Sequence, residues 1–193
     1  SEGGGLVRVQ ANHPPSQADD FAHLAGRAAF LTDAVFEWNT NSFTPSSSGI
    51  VYFNPAVATE YPIFRMNQTT NFQIGGGSAT TINGHFENNA DNAFQFAGVK
   101  IFRDGISGTG RLIQLSGCGE FRISGTNARL GGSGILELNG TTGLVITVGT
   151  TTLISNKTID NNNVNVNSAA RLNCGTFTLS GTTNFSLLSG GRL

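Results

Sequence analysis

The chain has 193 residues, of which 38% are hydrophobic and only 12% charged, with 26 glycines and a formal net charge of −1. That length suits one domain or a domain with an extension, and the near-zero charge implies no global polyelectrolyte partner. The polarity comes from Gly, Ser, Thr and Asn, in runs too regular and too β-branched for simple disorder, so an all-β chain with tight turns is expected.

In chain order, residues 1–15 are expected to form an extended arm. SEGGG is flexible, Leu6, Val7 and Val9 lie in a strand-like LVRVQ run, and Pro14-Pro15 closes the segment. Exposed strands of this kind often pair with another chain. Residues 16–31 carry the one helix signal. Ser16 suits the N-cap, Asp19 and Asp20 suit the first turn, and Phe21, Leu24, Ala25 and Ala28 recur on one face. That face is expected to cap the β stack or to dock on a neighbouring subunit. Residues 33–62 then concentrate aromatic residues, including Trp38, Tyr52 and Tyr61, so 16–62 reads as a helix-plus-aromatic attachment region. The residues expected to serve assembly or anchoring are Leu6, Val7, Val9, Phe21, Leu24, Ala28 and Trp38.

Residues 63–193 read as a repeat domain. IFRMN, TTINGHF and NAFQFAG lead into RLIQLSG, EFRISG, ILELNG, LVITVG, VNVNSA and TFTLSG. Each run alternates apolar and polar residues and most stop at Gly or Asn, which describes short half-buried strands. Strand runs recur at roughly 18–22 residues, no proline follows Pro62, and charge is sparse. Together these favour a parallel β-helix, a solenoid whose coils bury their inner faces on one another. The expected inward residues are Leu112, Leu115, Ile123, Ile135, Leu138, Val145, Ile154, Val164, Val166, Leu172, Phe177 and Leu179. Asn161, Asn162 and Asn163, with Asn165 and Asn167, suggest a turn or an asparagine ladder. Cys118 and Cys174 would sit about three rungs, roughly 14 Å, apart. That is too far for a disulfide, so both are expected as free, buried residues.

SGTGRLIQLSG and LNGTTGLVITVG are similar in style to the low-complexity β-helical stalks of phage tailspikes, tail fibres and head appendages, and to bacterial adhesin passengers. The resemblance covers residues 105–193 and rests on no specific motif. It implies a homotrimeric virion protein attached through its N-terminal part to other virion structural proteins, with a host-surface glycan as a further partner. No secretory h-region is visible at the start of the chain, which fits an expected assembly in a host cytoplasm and a place on the virion, though a trimmed precursor would hide one; the alternative is an extracellular or cell-surface fibre. No stretch approaches the ~20 apolar residues of a membrane helix.

Catalysis on a β-helix requires carboxylates facing each other across a groove. The candidates are Glu87, Asp91, Asp104, Glu120, Glu137 and Asp160, and only Glu87 and Asp91 cluster with a histidine, His85. No adjacent-aspartate pattern with Gly-His-Gly, no G-x-S-x-G elbow and no Cys-x-x-Cys occurs. No catalytic or metal site and no cofactor is therefore assigned, and the isolated arginines do not suggest nucleic-acid binding. A polysaccharide-active β-helix stands as the third alternative.

Residues 1–96 carry three basic and eight acidic side chains, and residues 97–193 carry eight basic and four acidic ones. The basic tail is expected either to be scattered surface charge or to face an acidic glycan or another subunit.

Overall fold

A computed structural model describes residues 6–9, 34–39, 51–52, 62–67, 79–94, 98–181 and 184–193. The described residues form a parallel β-solenoid of three sheets. The first has eight strands in the order β1 (Leu6–Val9), β2 (Val35–Trp38), β4 (Ile63–Met66), β6 (His85–Asn88), β9 (Gly105–Ser107), β12 (Asn127–Leu130), β15 (Gly149–Leu153) and β18 (Ala170–Asn173). The second has five: β7 (Asn92–Phe94), β10 (Leu112–Gln114), β13 (Leu136–Leu138), β16 (Lys157–Asp160) and β19 (Leu179–Ser180). The third has seven: β3 (Val51–Tyr52), β5 (Thr80–Ile82), β8 (Lys100–Phe102), β11 (Phe121–Ile123), β14 (Leu144–Ile146), β17 (Val164–Val166) and β20 (Phe185–Leu187). From β6 onward the chain visits the first, second and third sheets in turn, giving five complete coils.

The expected all-β parallel stack is thus present, and no helix occurs among the described residues. The helix placed at 16–31, with Phe21, Leu24 and Ala28, lies outside them, as does most of the 1–15 arm. Leu6, Val7 and Val9 do lie on a strand, and its partner is β2 of the same chain, with Leu6 opposite Val35 and Val9 opposite Trp38. From β4 onward the coils run 20–24 residues, at or just above the expected 18–22, and only those nearer the N-terminus are longer, at 28–30 residues. Phe86 pairs with Ile106 and Leu112 with Leu136, while nearer the N-terminus Leu6 pairs with Val35. Insertions at the corners lengthen a coil without disturbing register, because only strand residues must match.

Alternation sets the core. On β10, β11 and β13 the first and third residues point inward and the middle one outward. Phe36, Phe64, Phe86, Phe102 and Phe121 form one interior column, with successive ring centroids 6.3, 5.6, 5.5 and 5.2 Å apart. Leu112, Ile123, Leu138, Val164, Val166 and Leu172 are buried as expected. Ile135, Ile154 and Phe177 are instead exposed, by 37, 44 and 39%. Ile135 and Ile154 flank the inward Leu136 and Leu153, so each sits one step out of phase at a corner. Leu115 and Leu179 are half-buried, and Val145 faces outward yet is covered. In the last coil Phe185, Leu187, Leu188 and Leu193 are exposed. An apolar cleft of about 400 Å³ there reaches in to Ile159, Val164 and Leu172.

Polar groups also enter the interior, where the corners need donors and acceptors. The Gln114 amide donates to the carbonyls of Gly119 and Gly143 and accepts from Gly140 N at 3.2 Å. Asn92 Nδ2 donates to Asn88 Oδ1 at 2.7 Å, and Asn88 Nδ2 to Ala90 O at 2.6 Å. Both cysteines are free; Cys118 is buried, and burial pushes its thiol up to about 11 against the pull of Lys100. Cys174 is half-buried against the core.

Lys157 is only 3% exposed, and its Nζ donates to Gly134 O at 2.6 Å. Burial pulls its pKa from 10.5 down to about 8. Below pH 8 the fold therefore carries the cost of a buried cation, on the order of 3 kcal/mol. Between pH 8 and the unfolded value the unfolded chain binds more protons, so this group makes stability rise with pH. Lys157→Met removes that cost but orphans the Gly134 carbonyl, a loss of about 1–3 kcal/mol. The variant is expected to be the more stable form near pH 6.5, with the advantage shrinking and then reversing by pH 10. Urea midpoints across that range check this, and a pH-independent difference would refute it.

Candidate functional site

The densest cluster of ionisable and hydrogen-bonding side chains among the sequence candidates lies on the outer face of the first sheet, over β2, β4, β6 and β9. Register places Glu37, Arg65, Glu87 and Ser107 in one row across four strands. Arg65 sits between two acids. Its Nε and Nη2 donate to Glu87 Oε1 and Oε2 at 2.9 and 3.0 Å, and its Nη1 reaches Glu37 Oε2 at 3.5 Å. This forked geometry suits guanidinium and carboxylate. Burial pushes the Glu87 carboxyl up, but hydrogen bonds from Arg65 and Asn89 outweigh it and hold it below the ordinary carboxylate range. The hydrogen bond to Glu87 likewise raises the Arg65 pKa.

An asparagine ladder runs beside this row. Asn67 Nδ2 donates to Asn39 Oδ1 at 2.9 Å, Asn89 Nδ2 to Asn67 Oδ1 at 3.1 Å, and Asn89 Oδ1 accepts from Thr109 N at 3.2 Å. At the Asn161–Asn163 corner, read as a turn or a ladder, the chain bends and one inter-coil asparagine link forms, from Asn161 Nδ2 to Asn139 Oδ1 at 2.9 Å, while Asn162 Nδ2 donates to Gly140 O at 2.5 Å. The longer ladder was missed, although a signal was present. Phe36-Glu37-Trp38-Asn39, Phe64-Arg65-Met66-Asn67 and Phe86-Glu87-Asn88-Asn89 repeat one pattern: an inward Phe, an outward charge, and an Asn at the corner.

His85 lies on the same face but is only 4% exposed. Its Nδ1 is 3.0 Å from Asp104 O, so that nitrogen carries the proton, and Nε2, 2.6 Å from Ser107 Oγ, accepts from the hydroxyl. A hydroxyl beside an oriented imidazole is the minimal nucleophile–base geometry. Here the imidazole is covered, and a substrate would have to displace its neighbours to reach Nε2, so the pair serves to join β6, β9 and the corner before β9.

The other candidate acids are dispersed. Asp91 Oδ1 accepts from Arg111 N at 2.9 Å. Burial pushes the Asp104 carboxyl up, with Arg103 and Arg129 opposing it. Glu120 pairs with Arg122. Glu137 pairs with Arg111, and its neighbour in register is Asp160. A hydrogen bond from Asn139, then one from Arg111, hold Glu137 below the usual range against burial. Glu87 and Glu137 are thus kept ionised, the reverse of what a proton donor to a glycosidic oxygen needs. Among the described residues no group of three or more His, Cys, Asp or Glu could hold a metal ion. No helix among them is long and apolar enough to cross a membrane.

Of the anchoring residues expected from sequence, Leu6, Val7 and Val9 lie on β1 and Trp38 on β2, in register with one another's strands. Phe21, Leu24 and Ala28 lie outside the described residues. No family model, no curated protein and no solved structure matches the chain.

Proposed function

We propose that the chain is a structural component of a virus particle, a phage capsid decoration, spike or tail component, in which the solenoid is a shaft that works by shape and assembly. The observation that carries the reading is how the outer faces are finished. Arg65 with Glu37 and Glu87, Arg111 with Glu137, and the Asn39–Asn67–Asn89 ladder each join one coil to another. Side chains that would bind a small substrate elsewhere are here used to tie rungs together, as a stiff rod requires. The style of residues 105–193 supports the same reading. In it the protein is a homotrimer placed on the virion through its first sixty residues, contacting other virion proteins.

Native mass spectrometry of the full chain, with electrophoresis in SDS without heating, tests this. An SDS-resistant trimer is expected, and antibodies to the chain should label virus particles from its source. A monomer displayed on a cell surface would overturn the reading in favour of an adhesin-like fibre.

A further inference from the structure

We infer that the outer face of the first sheet, at its C-terminal rungs, binds the anionic groups of an acidic polysaccharide, with Arg171 and Arg192 as the anion contacts. The inference goes beyond the shaft reading and does not rest on it. On β18, Ala170 and Leu172 are buried and Arg171 is exposed, so Arg171 points outward. Arg192 pairs in parallel with Arg171 on the following rung. Two arginines therefore leave one face from backbone positions a single strand spacing apart, about 4.8 Å. Like charges placed opposite each other destabilise a sheet, so this pair is not explained by stability.

Five other arginines among the described residues are placed differently. Arg65, Arg111 and Arg122 each meet a glutamate, and Arg103 and Arg129 act on Asp104. Neither the Arg171 nor the Arg192 guanidinium has a carboxylate or hydrogen-bond partner among the described residues. Both line a cleft of about 310 Å³, shared with Thr150, Ser168, Gly149 and Gly190. No carboxylate lines it. Register continues the surroundings with Thr152 and Asn173, a row of further donors and acceptors.

That chemistry selects the ligand. Paired guanidinium forks take a carboxylate or sulfate group in two-pronged contacts. The flanking hydroxyl and amide groups match the hydroxyls of a sugar. Aromatic and large apolar anchors, on which a protein partner would depend, are absent from the cleft lining.

Titration calorimetry on the full chain tests the inference with polygalacturonate as the carboxylate polymer, heparin as the sulfated one and dextran as the neutral control. At least one acidic polymer is expected to bind and dextran not to, with affinity falling between about 50 and 300 mM salt. The double variant Arg171→Gln/Arg192→Gln should lose about tenfold or more in affinity. Its thermal midpoint should be no lower than the parent's, since a repulsive pair is relieved. Arg122→Gln, on the third sheet, should change affinity less than about twofold. Which acidic polymer binds identifies the anion as carboxylate or sulfate. The inference is overturned if neither binds, if dextran binds as well, or if the double variant binds like the parent. It is equally overturned if Arg122→Gln costs as much as the double change, because attraction would then be unspecific.

Discussion

Phe86→Ala is expected to destabilise the protein by about 4–5 kcal/mol. Phe86 is 0% exposed and lies in mid-column, 5.6 Å from the Phe64 ring and 5.5 Å from that of Phe102. Truncating a buried Phe costs about 3–5 kcal/mol in transfer and cavity, and each lost ring pair adds about 0.5–1.5 kcal/mol. The upper part of that range applies because neighbouring coils are fixed by their own ladders and cannot collapse into the gap. A whole domain has only about 5–15 kcal/mol to lose. Coils in a solenoid contact mainly their neighbours, so the damage should be local. Amides of β4, β6 and β9 should exchange faster while those of β15 to β18 keep their protection. Urea unfolding with hydrogen exchange measures both, with Phe177→Ala as the comparison: Phe177 is 39% exposed and should cost under about 1 kcal/mol. A loss below about 1.5 kcal/mol for Phe86→Ala would show that the column is not packed as described.

Gly105→Ala is expected to be nearly as damaging, for a different reason. Gly105 has φ +99°, and an added Cβ would stand 1.8 Å from the Arg129 carbonyl oxygen and 2.7 Å from its carbonyl carbon. The obstructing atoms are backbone of the next coil, held by the β9–β12 pairing in which Arg129 faces Gly105. Nothing can swing aside as a side chain would. Strain at this φ costs about 1–3 kcal/mol and the overpacking a further 1–3 kcal/mol. Gly175→Ala separates the two effects, since Gly175 has φ +55° with nothing within 4 Å of an added Cβ. That variant should lose only about 1–2 kcal/mol. Equal thermal midpoints for the two variants would contradict the close approach of coils at Gly105.

Period-2 alternation made the stack legible because inward residues such as Leu112, Leu138, Val164 and Leu172 recur with turn residues between them. Phase at the corners was not legible. Ile135-Leu136 and Leu153-Ile154 are apolar pairs, and only pairing to the adjacent coil decides which member enters. Inward polar residues were hidden for a related reason: Gln114, Asn88 and Lys157 read as outward in a binary pattern, yet they satisfy corner carbonyls and amides. The Glu37–Arg65–Glu87 row depends on partners 28 and 22 residues apart, so unequal coil lengths obscured it. The repeated Phe-charge-x-Asn element would have revealed it. The Arg171–Arg192 pair was visible only as a basic excess in the second half, because adjacency on a face follows from register rather than from composition. The helix expected at 16–31, and with it Phe21, Leu24 and Ala28, falls outside the described residues.

The central claim is the parallel stack with its register, and one distance tests it. Thr81, Ile101, Arg122, Val145, Asn165 and Ser186 occupy one outward row of the third sheet, each opposite the next. Five strand spacings put Thr81 and Ser186 about 24 Å apart between Cα atoms. Spin labels at Thr81→Cys and Ser186→Cys, with Cys118 and Cys174 replaced by alanine, report this distance by pulsed electron paramagnetic resonance on chains diluted with unlabelled protein. The stack predicts a single narrow distribution near 24 Å, broadened only by the label arms. A broad distribution, or a maximum beyond about 40 Å, would contradict it.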